Sequence, residues 1–240
     1  MKTNTLSKII LSFAATALLV ATSEAETINL DIQVAGASPT NYTGASANGP
    51  IASGTTWNYF NVATGGANNP NSQSFLNLVD DGGAATDVDV AFGLGWVGTF
   101  ESGTGNNLQG DRAYTQFQST GWFTISGLEV GGSYNLALIA SPDGSHGTDY
   151  TIAGAGTETA TGGSAGTNVN GALTFTEGVT HVLFENIVAS GGEITIGIKQ
   201  ASGSSAAVLS GLQIQSIPEP SSAALLLGLG SIALILRRRK

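Results

Sequence analysis

Gly121-Trp122-Phe123-Thr124-Ile125-Ser126-Gly127-Leu128-Glu129-Val130-Gly131-Gly132-Ser133-Tyr134-Asn135-Leu136-Ala137-Leu138 is the stretch on which the fold turns. Two short strands flank a glycine-bearing turn, and Tyr134, Leu136 and Leu138 share one face of the second strand. Apolar residues at every second position suit a strand with one buried face, and a Gly-rich link between two such runs predicts a β-hairpin.

The same period of two recurs on both sides. Upstream, Ile28, Leu30, Ile32 and Val34 alternate with Asn29, Asp31 and Gln33, which predicts a half-buried strand with the polar set outward. Residues 57–62 are aromatic-rich and read as the next strand. Beyond the turn Asp80-Asp81-Gly82-Gly83, the residues Val88, Val90, Phe92, Leu94 and Trp96 alternate with small or acidic ones, so all five are expected on one core face. Residues 113–119 fit a strand or a helical turn. Downstream candidates are 149–153, 171–176, 179–188, 193–199 and 206–215. About ten short strands separated by Gly, Ser, Asn and Pro, with no amphipathic helix of ten or more residues and no fixed-period repeat, predict an all-β fold. The expected form is a jelly-roll-like antiparallel β-sandwich.

The two ends read differently. Lys2 and Lys8 precede an apolar run over 9–20, and Ser23-Glu24-Ala25 is a small-x-small site with cleavage expected before Glu26. Residues 1–25 therefore read as a signal peptide, whose partners are the secretion translocon and signal peptidase, and 26–216 as the sandwich domain. At the other end, residues 217–240 contain Pro218-Glu219-Pro220, an uncharged run over 223–236 and the basic cluster Arg237-Arg238-Arg239-Lys240. Fourteen residues as a helix span roughly 21 Å at about 1.5 Å per residue. That is short of a ~30 Å hydrocarbon core. A start at Ser221 behind Pro220, with snorkelling arginines, absorbs the mismatch and permits a membrane-spanning helix. The four terminal cations place the body on the non-cytoplasmic side.

This tail resembles the PEP-CTERM sorting signal of Gram-negative bacteria that secrete exopolysaccharide. Pro218, Glu219 and Pro220 match its motif in order, and the apolar run with Arg237, Arg238 and Arg239 matches in type. The resemblance implies recognition by a membrane exosortase, a cysteine protease acting near the motif. The protein would then be an inner-membrane-tethered precursor before it reaches the cell surface or extracellular matrix. Within the body, the Phe123-to-Leu138 stretch is similar to one common in β-sandwich domains of PEP-CTERM proteins. Leu209-Ser210-Gly211-Leu212-Gln213-Ile214 is similar to the closing strand of galactose-binding-like jelly rolls.

Between the two ends, Arg112 and Lys199 face fifteen acidic residues, a formal charge of −13 against −9 for the whole chain. Such a surface repels phosphate, which argues against nucleic acid as a partner. The absence of cysteine excludes thiol catalysis, Cys-ligated zinc and iron–sulfur clusters.

Few constellations carry chemistry. Asp80 and Asp81 beside a glycine turn can contribute oxygens to calcium, but the spacing is not that of a D-x-D-x-D-G loop, and Asp87 and Asp89 belong on a solvated strand face in any case. Glu129, Glu158, Glu177, Glu185 and Glu193 can supply a glycosidase pair only if the fold brings two together. His146 and His181 lack a Gly-x-Ser-x-Gly elbow and read as loop and sheet residues. Trp57, Tyr59, Trp96 and Trp122 can stack on sugar rings, with Asn58 or Asn61 as an adjacent amide, or can fill the core. The candidate glycan platform is Trp57, Asn58, Tyr59 and Trp122. The expected function is that of a non-enzymatic exported surface or matrix protein. The alternatives are a carbohydrate-binding module attached to extracellular polysaccharide and, third, a glycoside hydrolase. No cofactor is expected, calcium being the one ion left open.

Overall fold

The computed structural model describes residues 25–34, 49–52, 56–62, 70–101, 108, 111–116, 119–140, 145–163, 166–167 and 173–218. The signal-peptide reading at 1–24 and the tail from 219 onward, including Glu219, Pro220 and Arg237 to Arg239, lie outside these residues. Among the described residues no helix is long and apolar enough to cross a membrane. Residues Glu26–Ile217 form a compact unit.

That unit is all-β. Its strands are β1 (Thr27–Val34), β2 (Asn58–Val62), β3 (Ser74–Phe75), β4 (Asp89–Phe92), β5 (Gly98–Glu101), β6 (Asp111–Thr115), β7 (Thr120–Ser126) and β8 (Ser133–Ile139). They continue with β9 (Thr148–Ile152), β10 (Gly156–Ala160), β11 (Gly166–Thr167), β12 (Leu173–Thr174), β13 (His181–Val188), β14 (Ile194–Gln200), β15 (Ala207–Leu209) and β16 (Gly211–Ile217). One sheet has the order β13-β8-β16-β1-β2 and a second β10-β9-β14-β7-β4-β3. Smaller sheets are β15-β6-β5 and β11-β12. All the pairings are antiparallel except β1 with β2. Leu30, Leu136, Leu138 and Leu212 from the first sheet share one core with Val90, Phe92, Phe123, Ile125 and Ile196 from the second, which makes the unit a β-sandwich.

Three sequence expectations change. The stretch 121–138 is not a hairpin: β7 pairs with β14 and β4, while β8 pairs with β13 and β16. The link after β7 crosses from one sheet to the other, as does the link from β13 to β14. At this crossing Gly127 has φ +75°, and a Cβ there would fall 1.8 Å from the Asp87 carbonyl oxygen, so only glycine fits. Leu128 is buried within the shared core.

Second, the alternating run 88–96 breaks. Gly93 N–H donates to the Trp122 carbonyl, and Trp122 N–H donates to the Leu94 carbonyl, so two residues oppose one as in a β-bulge. Leu94, expected in the core, is 69% exposed, whereas Trp96 returns to it.

Third, β1 is buried on both faces. Asn29 and Asp31 are fully buried and Gln33 nearly so. Asn29 Nδ2 donates to the Thr56 carbonyl, and Gln213 Nε2 donates to Asn29 Oδ1. Gln213 Oε1 accepts from Ile51 N–H. The polar side of β1 is thus a hydrogen-bonded layer beneath Ile51, Ala52 and Thr56 rather than a solvated face.

Candidate functional site

The four candidate platform residues are not brought together. Trp57 is 4% exposed and packs with Leu108, Ile139 and Phe175 in a second apolar cluster, so its ring is core and cannot stack on a sugar. Asn58 is also buried. Its Nδ2 donates to the Asn29 and Val79 carbonyls, and its Oδ1 accepts from Val79 N–H, which leaves it no part in recognition. Tyr59 is half exposed but lies on β2, in the sheet that does not contain Trp122.

Trp122 is different. It stands on β7, inside the six-stranded sheet, with Phe123 and Ile125 pointing into the core while Trp122 is 47% exposed on the outer face. Its backbone is held from within. Trp96 Nε1 donates to the Trp122 carbonyl at 2.8 Å, and Asn71 Oδ1 accepts from Trp96 N–H. Across the sheet from Trp122 is Gly197 of β14. A Cβ at Gly197 would meet Trp122 Cζ3 at 3.2 Å, so the missing side chain makes room for the indole to lean over the neighbouring strand. The indole thus rests on the neighbouring strand from a hydrogen-bonded backbone, which limits the ordering cost of binding.

Around it lie threonines. Thr124 Oγ1 is 3.4 Å from Thr195 Oγ1, and Thr151 Oγ1 is 2.8 Å from Thr157 Oγ1. Thr159 Oγ1 donates to Asp149 Oδ1. These hydroxyls accept and donate as a sugar requires. The sequence pattern Thr120-x-Trp122-x-Thr124 carried this signal, because period-two alternation places all three on one face.

The remaining candidates stand elsewhere. Asp80 Oδ1 accepts from Ala84 N–H and closes the turn there, while Asp81 N–H donates to the Thr27 carbonyl. Burial, and then Asp80 and Asp81, hold the Glu26 carboxyl above the usual carboxylate range. Among the described residues no three His, Cys, Asp or Glu side chains gather closely enough to hold a metal ion. Of the glutamates, Glu158 and Glu185 line one open cleft of about 380 Å³ beside the irregularity in β13 between Phe184 and Ile187. Pro218 follows directly on β16 and is exposed.

His181 is buried on β13, edge-on to Phe175 at 6.0 Å. Burial lowers its imidazole pKa below the ordinary value. The unfolded chain then takes up this proton near pH ~6.5 while the folded chain resists it, so stability is full above that pH and declines as pH falls below it. Melting temperatures recorded from pH 7.5 down to 5 are expected to fall more steeply for the wild type than for His181→Gln. Parallel curves would remove His181 as the cause.

The PEP-CTERM protein-sorting motif family matches residues 216–240. The motif marks an exported protein, anchored to the membrane at its C-terminus before processing by an exosortase-type system. No curated protein matches the sequence. Among solved structures, protein YXIM of Bacillus subtilis aligns at 10% identity over 80% of this chain and 40% of its own, with a TM-score of 0.39. The plant receptor-like kinase FER aligns at 12% identity over 82% and 43%, TM-score 0.34. The exo-β-1,3-galactanase of Phanerochaete chrysosporium, solved with galactose, aligns at 17% identity over 60% and 29%, TM-score 0.27. The chain spans less than half the length of each, and likeness of this degree carries nothing about function.

Proposed function

We propose that this is a non-enzymatic, exported polysaccharide-binding protein of a Gram-negative cell surface or matrix, delivered by its sorting signal and holding extracellular polysaccharide through the outer face of the six-stranded sheet. The observation that supports this reading is Trp122, an indole on a hydrogen-bonded strand, exposed within a sheet face of threonine hydroxyls. An indole on the outer face of a strand, between threonine hydroxyls, offers a sugar both an apolar face and hydrogen-bonding partners. The translocon, signal peptidase and exosortase act on the precursor, and the binding reading requires no cofactor.

Affinity electrophoresis of the full-length protein through gels containing soluble polysaccharides tests it. Trp122→Ala is expected to weaken retardation about tenfold or more, equivalent to ~1.4 kcal/mol. The melting temperature should barely move, because the ring lies outside the core. Unchanged retardation in Trp122→Ala, or none for the wild type in any gel, would overturn the reading.

A further inference from the structure

Strand register divides the outer face around Trp122 into rows. One row runs Thr157, Thr151, Gly197, Trp122 across four strands, with Gly93 joined to Trp122 by its N–H. The next runs Thr195, Thr124, Ala91, Ser74. Together these two rows cross all six strands and contain no charged residue. On one side they are bounded by Asp149 opposite Lys199. On the other side stands Asp89 in the row of Ser126, with the exposed Glu193 just before β14.

We infer that the ligand of this face is a neutral, hydroxyl-rich glycan chain that lies across the strands along these two rows, with Trp122 under one of its sugars. The inference rests on the polysaccharide-binding reading above and gives it a substrate class and a direction. Charge decides the class. Among the described residues Lys199 is the one exposed cation, and Asp149 faces it across the sheet, so locally the two offset each other. The body as a whole carries −13, so a uronate-bearing or otherwise anionic chain meets net repulsion with no patch of opposite sign. A neutral chain meets hydroxyls and an indole. Direction follows from the same map. A chain running along β7 would pass from the row of Lys199 and Asp149 to that of Asp89, whereas one crossing the strands stays on uncharged residues for six strands, roughly 24 Å at about 4.8 Å per strand.

The test uses the full-length protein with two sets of probes, neutral polysaccharides such as laminarin and galactomannan, and anionic ones such as alginate and polygalacturonate. Binding is expected for a neutral probe, with little change between 50 mM and 500 mM salt, and for no anionic one. In a series of oligosaccharides of the bound type, affinity should rise with length until the chain spans about 24 Å and then level off. Thr151→Val with Thr195→Val, which keeps strand-forming side chains but removes two hydroxyls in the rows, should lower affinity about three- to tenfold. Thr120→Val with Ser126→Ala, on the same strand as Trp122 but outside the rows, should leave it unchanged. Salt-sensitive binding of an anionic probe in place of a neutral one would overturn the class while leaving the binding reading intact if Trp122→Ala still abolished it. Loss on Thr120→Val with Ser126→Ala but not on the row variant would overturn the direction. Binding indifferent to Trp122→Ala would overturn both the inference and the reading it rests on.

Discussion

Phe92→Ala is expected to lower the unfolding free energy by about 3–5 kcal/mol, the range for truncating a buried aromatic residue. Phe92 is almost wholly buried on β4 and makes edge-to-face contacts with three rings, Phe60 at 5.1 Å, Trp96 at 4.9 Å and Phe123 at 5.1 Å. Phe60 belongs to β2 in the five-stranded sheet, whereas Phe92 and Phe123 belong to the six-stranded one, so the cluster clasps the two layers. Removing the central ring loses apolar burial, three aromatic contacts and the packing of a cavity that the surrounding strands cannot collapse to fill. Against a typical total of about 5–15 kcal/mol, that loss leaves a substantial unfolded population. Urea denaturation at 25 °C should show the midpoint falling by a large fraction of its wild-type value. Leu94→Ala, two residues along but on the outer side of the bulge, should stay within about 0.5 kcal/mol of wild type. Equal effects of the two substitutions would mean that the clasp is misassigned.

The contrast between Phe92 and Leu94 shows where the sequence was readable and where it was not. Alternation reports that a strand has one buried face, and it located β1, β9 and β14 closely because nothing interrupts their pleat, and β13 despite the irregularity between Phe184 and Ile187. Gly93 adds an extra residue opposite Trp122 and turns Leu94 outward before Trp96 returns to the core, a change that no count of apolar residues reveals. The crossing between β7 and β8 was hidden for a related reason. Two strands that each bury one face look the same whether the chain turns back within a sheet or passes to the opposite layer; hydrogen-bond partners alone distinguish them. The predicted strand over 206–215 is likewise two, β15 and β16, in different sheets. At the site, Trp122 was legible as a candidate stacking residue, whereas the threonines beside it come largely from other strands, Thr195 and Thr151, which only the strand register brings to its face. Trp57 and Asn58 were not separable from Trp122, because aromatics at alternate positions serve the core and the surface with the same spacing. The polar set of β1 misled in the opposite direction. Asn29, Asp31 and Gln33 look solvated, but a strand interior to its sheet can be covered on both faces once an overlying segment supplies hydrogen bonds.

The same buried polar layer sets the second large effect, on Asn58. Its carboxamide links two chain segments at this edge of the sheet: Nδ2 donates at 2.9 Å to the Asn29 carbonyl and at 2.7 Å to the Val79 carbonyl, and Oδ1 accepts at 2.9 Å from Val79 N–H.

 Val79 in turn bridges to Ala85 across the Asp80–Ala84 turn, where Asp81 N–H reaches the Thr27 carbonyl. Asn58→Ala removes the carboxamide and leaves one backbone donor and two backbone carbonyls without the partner they have in the wild type. A buried polar group left unsatisfied costs about 1–3 kcal/mol. Val79 is half-buried, so water can reach part of what is exposed, and the net loss is expected near 2–4 kcal/mol rather than the full sum. Asn58→Asp preserves the acceptor for Val79 N–H but loses both donated bonds and buries a charge, so it should be no better tolerated. Amide hydrogen exchange separates this account from a general loosening of the fold. The Val79 amide should be protected in the wild type and exchange fast in Asn58→Ala, while the amides of β14, in the other sheet, slow or quicken only as far as the global stability changes. A Val79 amide that stays protected in Asn58→Ala, with a stability loss under about 0.5 kcal/mol, would show that the turn is held by other contacts and that Asn58 is dispensable to it.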